Sequence, residues 1–154
     1  MDLYVDTNFL TRLYLPFDES GEAQEWMANA QRMGALPLPI TWLLRLELTN
    51  AFEQYVFTAR TSGQARVTPE LAAMAHSGLR DDLLAGNALV WQEIDMERLG
   101  VQFESLVLRH TARHGFRTYD ILHVAAVLEL GCIEFWSFDI RAKRLARLEG
   151  LQTN

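Results

Sequence analysis

The chain has 154 residues and a formal net charge of −6, and 49% of its residues are hydrophobic and 22% charged. This length suits one domain with a full hydrophobic core, so we treat residues 1–154 as a single domain. The negative charge argues against a protein that coats nucleic acid through a basic surface. It does not argue against a nuclease, because an acidic metal site itself contributes negative charge.

The apolar runs and the cysteine content also indicate the cellular location of the protein. No apolar run approaches the roughly 20 residues that are needed to cross a bilayer, and the N-terminus lacks the pattern of a signal peptide. Cys132 is the only cysteine, which excludes an intrachain disulfide and suits a reducing compartment. We therefore expect a cytoplasmic protein that is soluble and has no membrane segment.

Apolar periodicity and helix-capping residues predict short strands that alternate with helices. We expect strands at residues 3–6, 36–40, 88–94 and 133–138, with a further short strand in the C-terminal tail. We expect helices at 7–15, 20–32, 41–59, 68–86, 95–114, 118–130 and 139–148, and a loop at 60–66. This order predicts an α/β fold, a three-layer α/β/α sandwich with a mainly parallel central sheet of four or five strands.

Four acidic residues lie where such a fold brings distant segments together. Asp6 ends the first strand, Asp139 ends the fourth, and Asp120 lies in the first turn of the helix before that strand. Glu47 lies on the inner face of the long helix that follows Thr41. Carboxylates at the carboxyl edge of a parallel sheet suit hard divalent cations, which indicates metal-assisted phosphodiester chemistry.

Each acidic residue also has a structural explanation. Asp6, Asp120 and Asp139 suit helix caps or first turns, where a carboxylate is favoured without any function. Glu47 lies beside an apolar stripe, where either a bound cation or exposure at the rim would compensate its charge. Moreover, Asp120 reaches the sheet edge only if the loop before it folds back, which spacing alone does not show. His123, one turn after Asp120, suits a ligand or a proton shuttle, but a residue bonded to a neighbour at the core edge suits it better.

The ordered set of motifs resembles the PIN-domain family, and within it the VapC-type ribonucleases, the toxin halves of toxin–antitoxin pairs. The resemblance covers essentially the whole chain, and its specificity lies in the ordered set rather than in any one motif. The matching segments are Asp6-Thr-Asn-x-Leu, Glu47 on a mid-chain helix, Tyr119-Asp120-Ile-Leu-His123-x-Ala-Ala, and Phe138-Asp139 ahead of Ala142, Leu145, Ala146 and Gly150-Leu151.

The resemblance implies an endoribonuclease with one or two Mg²⁺ or Mn²⁺ ions in an acidic pocket. The catalytic and metal-binding residues would be the four carboxylates, with Asp6, Asp120 and Asp139 holding the main ion. Glu47 would complete its shell or orient the attacking water. The resemblance further implies homodimers and a small antitoxin protein that plugs the pocket.

Two positions match the polar residues that hydrogen-bond and orient the carboxylates, namely Asn8 and Ser137. The family often has Thr at the position of Ser137, and serine keeps the hydroxyl. An acid or amide often follows the last aspartate, whereas Ile140, Arg141 and Ala142 follow here. This departure argues against tight binding of a second ion.

Basic residues flank the predicted ligands, and we expect Arg117, Arg141 and Arg144 to contact the RNA backbone. The alternative for each is a solvated residue at a helix end. Transfer RNA, ribosomal RNA and messenger RNA are all compatible substrates. The segment 68–84 suits either a lid or a dimer element.

Two other functions compete with the nuclease. A non-catalytic PIN-like module that binds protein or RNA is the main alternative, and the intact set of four carboxylates argues against it. A phosphatase of the haloacid dehalogenase type would need an aspartate where Asn8 stands and a suitable lysine, yet Lys143 is the only lysine.

Overall fold

The computed structural model of the protein describes residues 2–62 and 66–154. The strands are β1 (Leu3–Val5), β2 (Leu38–Ile40), β3 (Leu89–Trp91), β4 (Glu134–Trp136) and β5 (Gln152–Thr153). The helices are α1 (Thr7–Tyr14), α2 (Ser20–Arg32), α3 (Trp42–Ser62), α4 (Pro69–Ala85), α5 (Met96–Leu106), α6 (Ala112–His114), α7 (Thr118–Glu129) and α8 (Ile140–Leu148), and a π-helical turn (Val107–Thr111) joins α5 to α6. No helix in the described ranges is long and apolar enough to span a bilayer.

The strands pair in parallel, as predicted. The pairs are β1 with β4, β4 with β5, and β2 with β3. Helix α1 packs against α2, α3 and α4, whereas α7 packs against α5 and α8. All residues of β1 are buried, as expected for a strand with both faces covered. The predicted α/β fold with helices on both faces is therefore confirmed.

The size of the sheet differs from the prediction of four or five strands. Strands β1, β4 and β5 form one sheet and β2 and β3 form a separate pair, although β1 and β2 are neighbours. The backbone groups of Leu38 and Ile40 bond on the β3 side, to Ala88 and Gln92. The backbone of Pro39, between them, faces β1, where it has no N–H to continue the ladder.

Several predicted boundaries move. Strand β4 ends at Trp136 because the Ser137 N–H donates to the side chain of Asn154 instead of a neighbouring strand. Strand β3 ends at Trp91, since its partner β2 has only three residues. Helix α3 continues through residues 60–62 of the predicted loop, and Gly63 lies outside the described residues.

A reversal of the chain brings the start of α7 to the edge of the sheet. The helical run from α5 to α6 ends at Gly115, which adopts φ +67°, a conformation that glycine accepts without strain. Helix α7 begins three residues later at Thr118, where the predicted helix begins, and Arg117 is its N-cap. Helices α5 and α7 then pack against each other. This reversal supplies the fold-back that the sequence left open for Asp120.

Candidate active site

A pocket of about 360 Å³ opens where β1 and β4 end. All four predicted carboxylates line it, and they come from four different parts of the chain. Strand β1 leads into Asp6 and β4 leads toward Asp139, while α3 carries Glu47 and α7 carries Asp120. The fold therefore gathers the four acidic side chains around one space.

Asp6 is almost fully buried at the bottom of this arrangement, with 4% of its surface exposed. Its Oδ1 accepts the Phe9 N–H at 2.8 Å, which makes it the N-cap of α1, and its Oδ2 accepts the Ser137 hydroxyl at 2.6 Å. Burial raises the pKa of Asp6 to about 6, although nearby His123 and these two hydrogen bonds oppose the shift. Asp6 is thus a helix cap that also carries a destabilised negative charge.

Glu47 is held in place by two hydrogen bonds to one oxygen. The Thr7 hydroxyl and the His123 ring each lie 2.5 Å from Oε2. Burial alone would raise the pKa of Glu47, but His123, Thr7 and the charge of Arg117 more than offset it and lower the pKa below its usual value. Glu47 is therefore favoured as an anion by its neighbours in the protein.

His123 is buried and connects the pocket to the core. Its Nε2 contacts Glu47, and its Nδ1 lies 3.1 Å from the hydroxyl of Tyr4 in β1. This agrees with the interpretation of His123 as a residue bonded to neighbours at the core edge. The imidazole thus orients Glu47 from the side of the hydrophobic core.

Arg117 bridges the other two carboxylates. Its Nε and Nη2 donate to the two oxygens of Asp120 at 3.0 and 2.9 Å, and Nη2 also donates to Oδ2 of Asp139 at 2.5 Å. Asp139 is in addition the N-cap of α8, where it accepts the N–H groups of Arg141 and Ala142. Burial works against ionisation of Asp139, but these N–H groups and Arg117 more than offset it and lower its pKa.

The two predicted orienting residues differ in what they contact. Ser137 is fully buried, and its hydroxyl joins the two strand ends by donating to Asp6 and accepting the Asp139 N–H at 2.8 Å. Asn8 lines the pocket, but its Oδ1 is buried and has no hydrogen-bond partner among the described residues. Asn8 therefore presents an unsatisfied oxygen beside the carboxylates.

The donor set suits a hard cation. Carboxylate and amide oxygens are the ligands that Mg²⁺ and Mn²⁺ prefer, and the pocket offers four carboxylates and the free Asn8 oxygen. In the described part of the chain, however, no three Asp, Glu, His or Cys side chains are grouped closely enough to hold a metal. The carboxylates instead use partners within the protein, notably Arg117 and His123. The residues fit the ion by chemistry, and binding requires some of these contacts to change.

A second depression of about 730 Å³ adjoins the acidic pocket and shares Asn8 and Asp139 with it. Arg141 and Arg144 line this basic groove, and Arg144 contacts His114. Of the three predicted RNA-contacting arginines, two therefore lie in the basic groove, whereas Arg117 lies in the acidic pocket itself.

The sequence interpretation missed three residues of this region. Thr7 follows Asp6 directly and its hydroxyl donates a hydrogen bond to Glu47, so its place in the motif Asp-Thr-Asn could have indicated it. Tyr4, which supports His123, looked like an ordinary core residue of β1. Tyr119 lines the pocket and is 53% exposed, whereas from the sequence it was named only as part of the motif around Asp120 and given no role.

Neither a protein-family model nor a curated protein matches the sequence. The structure, in contrast, is similar to VapC20 of Mycobacterium tuberculosis, a toxin that cleaves the sarcin–ricin loop. The TM-score is 0.61 at 16% identity, covering 93% of this chain and 94% of that one. It is also similar to FitAcB from Neisseria gonorrhoeae, with a TM-score of 0.61 at 13% identity, covering 98% of this chain and 95% of that one. The resemblance in sequence motifs and the likeness in structure agree, and the protein has a PIN/VapC-type fold.

Proposed function

We propose that the protein is a divalent-metal-dependent endoribonuclease and the toxin component of a toxin–antitoxin pair. The observation that carries this proposal is the convergence of Asp6, Glu47, Asp120 and Asp139 on one pocket beyond the ends of two parallel strands. The fold likeness to VapC20, a toxin that cleaves the sarcin–ricin loop, supports the same reaction class. RNA is accordingly the proposed substrate.

Asp6, Asp120 and Asp139 would hold one Mg²⁺ or Mn²⁺ ion, with the Asn8 oxygen as a further donor. Such an ion activates a water molecule and stabilises the negative charge that develops on the leaving oxygen. The protein's own part is to aim the carboxylates. Ser137 contributes by holding Asp6 with its hydroxyl and the Asp139 backbone through its oxygen.

Glu47 would orient the attacking water. Thr7 and His123 both bond Oε2, which leaves Oε1 free of hydrogen bonds to the described residues. The low pKa of Glu47 keeps this oxygen able to accept a hydrogen bond from water. His123 and Thr7 act as positioning residues for it.

The basic groove would hold the RNA backbone beside the acidic pocket. Arg141 and Arg144 supply positive charge there, and the groove meets the pocket at Asn8 and Asp139. A strand bound in the groove would therefore present a neighbouring phosphate to the carboxylates. Such local attraction is compatible with the net charge of −6.

A small antitoxin that covers the pocket and a homodimeric assembly belong to the same proposal, as does a cytoplasmic location, where RNA is available. The open pocket, with exposed Tyr119 at its border, offers the surface that an antitoxin would cover.

One observation favours the non-catalytic binding module as a second candidate. Asp6 and Asp139 both cap helices, and Arg117 pairs with two of the carboxylates. Acidic residues with such partners can be kept for stability alone.

Incubation of the purified protein with labelled structured RNAs, in Mg²⁺, Mn²⁺ or EDTA, separates the two candidates. Asp6→Asn should abolish cleavage, whereas Asp95→Asn should retain it, because Asp95 caps α5 away from the pocket. Cleavage that needs metal and Asp6 supports the nuclease. No cleavage of a panel of RNAs, together with no metal binding by calorimetry, would favour the binding module.

A further inference from the structure

Arg117 is the one arginine that lines the acidic pocket, as far as the described residues show. Its backbone N–H and its guanidinium both donate to Asp120, three residues along the chain, and the same guanidinium reaches Asp139, which follows β4. Two of the four carboxylates are therefore joined through one positive side chain.

The contact of Arg117 with Asp120 and Asp139 affects metal binding because of the charges of these side chains. Two neighbouring carboxylates repel each other unless a cation lies close to both, and a guanidinium meets that need as a divalent ion would. Both ligand types use the same carboxylate oxygens. While the two hydrogen bonds persist, each Asp120 oxygen has one lone pair engaged by Arg117, and a metal ion at the same oxygens would lie close to the positive guanidinium.

The side chain of Arg117 is also in a position from which it can move away from Asp120 and Asp139. It is 57% exposed, whereas that of Asp120 is 7% exposed. Arg117 precedes the first residue of α7, so its side chain can move without disturbing the helix. Ion pairs with an exposed partner contribute little to stability, so a divalent ion can outweigh this one.

We propose that Arg117 is an internal counter-ion that competes with the divalent metal for Asp120 and Asp139 and is displaced when the metal binds. This inference rests on the proposed function, and it adds how the acidic pocket is regulated. Arg117 stabilises Asp120 and Asp139 before the metal arrives. After displacement, its guanidinium is available to the RNA phosphate in the same pocket, so metal binding and substrate binding are coupled through one side chain.

If the contacts of Arg117 are only a structural salt bridge, removal of Arg117 should change the metal affinity in the opposite direction. If Arg117 only aligned the two aspartates, its removal would weaken metal binding, since the ligands would lose their orientation. If Arg117 competes, its removal strengthens metal binding, because one positive charge leaves the site and the oxygens of Asp120 lose two competing hydrogen bonds. The direction of the change in metal affinity therefore decides between them.

The test is titration of the protein with Mn²⁺ by calorimetry, without RNA, for the wild type, Arg117→Gln, Arg117→Lys and Arg113→Gln. Arg117→Gln should bind Mn²⁺ about tenfold more tightly than the wild type. Arg113→Gln removes the same charge from an exposed residue of α6 and should change the affinity much less. Arg117→Lys keeps the charge but cannot match the two-pronged contact, and its affinity should fall between the wild type and Arg117→Gln.

Thermal melting with EDTA and with Mn²⁺ gives a second readout. Arg117→Gln should melt lower than the wild type in EDTA and gain more from Mn²⁺. Unchanged or weaker Mn²⁺ binding by a folded Arg117→Gln, with binding still lost in Asp6→Asn, would overturn the role of Arg117 and leave the nuclease proposal standing. If Arg117→Gln does not fold, an Arg117→Lys affinity no higher than that of the wild type overturns the inference. Absence of Mn²⁺ binding in all of these proteins would overturn both proposals.

Discussion

Two regions of the molecule each contain a short histidine–carboxylate pair. His123 lies 2.5 Å from Glu47 in the acidic pocket, and His110 lies 2.5 Å from Glu149 at the end of α8. The histidine side chains are 4% and 14% exposed, so both pairs are largely removed from water. Judged by the pair alone, the two regions look equivalent.

Their surroundings differ in the balance of charge. Glu149 also pairs with Arg109 at 2.9 Å, so two basic side chains serve one carboxylate. The acidic pocket, in contrast, places Glu47 with three further carboxylates and one arginine. A histidine–carboxylate pair therefore does not by itself indicate a functional site. An excess of carboxylates over cationic side chains does indicate one, because the uncompensated negative charge favours the binding of a metal ion.

Matched amide variants of the two glutamates test this comparison most strongly. Glu47→Gln should lower metal-dependent RNA cleavage by about 100-fold or more, because the water-orienting anion is lost. Glu149→Gln should leave cleavage nearly unchanged and lower the free energy of unfolding by about 1–3 kcal/mol, since His110 and Arg109 lose a charged partner. Initial cleavage rates and denaturant unfolding measure the two effects. Equal losses of cleavage in both variants would contradict the distinction between the regions.

The burial of Asp6 in the acidic pocket should also appear in the pH dependence of stability. The pKa of Asp6 is about 6 in the folded protein against 3.8 as its ordinary value. Between these pH values the folded protein binds more protons than the unfolded chain, so the contribution of Asp6 to stability falls as the pH rises through this window. In EDTA, Asp6→Asn should therefore gain about 2–3 kcal/mol relative to the wild type between pH 4 and pH 7.

Asp95→Asn is the control for that measurement, because it removes a carboxylate from an exposed helix cap. Chemical denaturation at several pH values gives the difference in free energy of unfolding for each variant. A difference between Asp6→Asn and the wild type that stays constant from pH 4 to pH 7 would show that burial of Asp6 carries no such cost.

Removal of one hydroxyl from each region should have a smaller effect. Ser137→Ala should weaken Mn²⁺ binding about tenfold, because Asp6 loses a donor and the Asp139 N–H loses its acceptor. Thr111→Ala is the matched change beside His110, where the hydroxyl has no partner among the described residues, and it should leave Mn²⁺ affinity unchanged. Calorimetry measures both affinities, and an equal affinity for Ser137→Ala and the wild type would argue against this role of the hydroxyl.

The smallest effect should come from the tyrosine behind His123. Tyr4→Phe removes the partner of His123 Nδ1, and Tyr14→Phe removes a hydrogen bond to Asp82 away from the pocket. Each should lower the free energy of unfolding by about 1 kcal/mol. Only Tyr4→Phe should also slow cleavage, by a few-fold, because Glu47 is then held less firmly. Similar cleavage rates for the two variants would place Tyr4 outside the support of the pocket.

The sequence predicted much of the fold because the relevant signals are local. Asp6 after an apolar run and Asp139 near the end of another follow from the way strands lead into capped helices, and the structure places both carboxylates in those caps. The parallel α/β class follows from the alternation of elements and is confirmed. The number of strands in one sheet was wrong, since the effect of Pro39 depends on which side of β2 faces β1.

The site was only partly predictable. The four carboxylates and Ser137 were named from their positions and from the family resemblance, and their metal-binding and catalytic roles stay predictions. The partners that each carboxylate uses were not predicted. Arg117 was expected to contact RNA, and nothing in its spacing indicated that it would bridge Asp120 and Asp139.

By itself, the sequence determined the order of the elements and the carboxylates that follow β1 and β4, because periodicity and capping act over a few neighbouring residues. Only the tertiary structure decided which charges meet. Glu47 and His123 are 76 positions apart, and Arg117 and Asp139 are 22 apart. Such contacts depend on the order of the strands and on the reversal at Gly115, and neither is encoded in the spacing of the residues that they bring together.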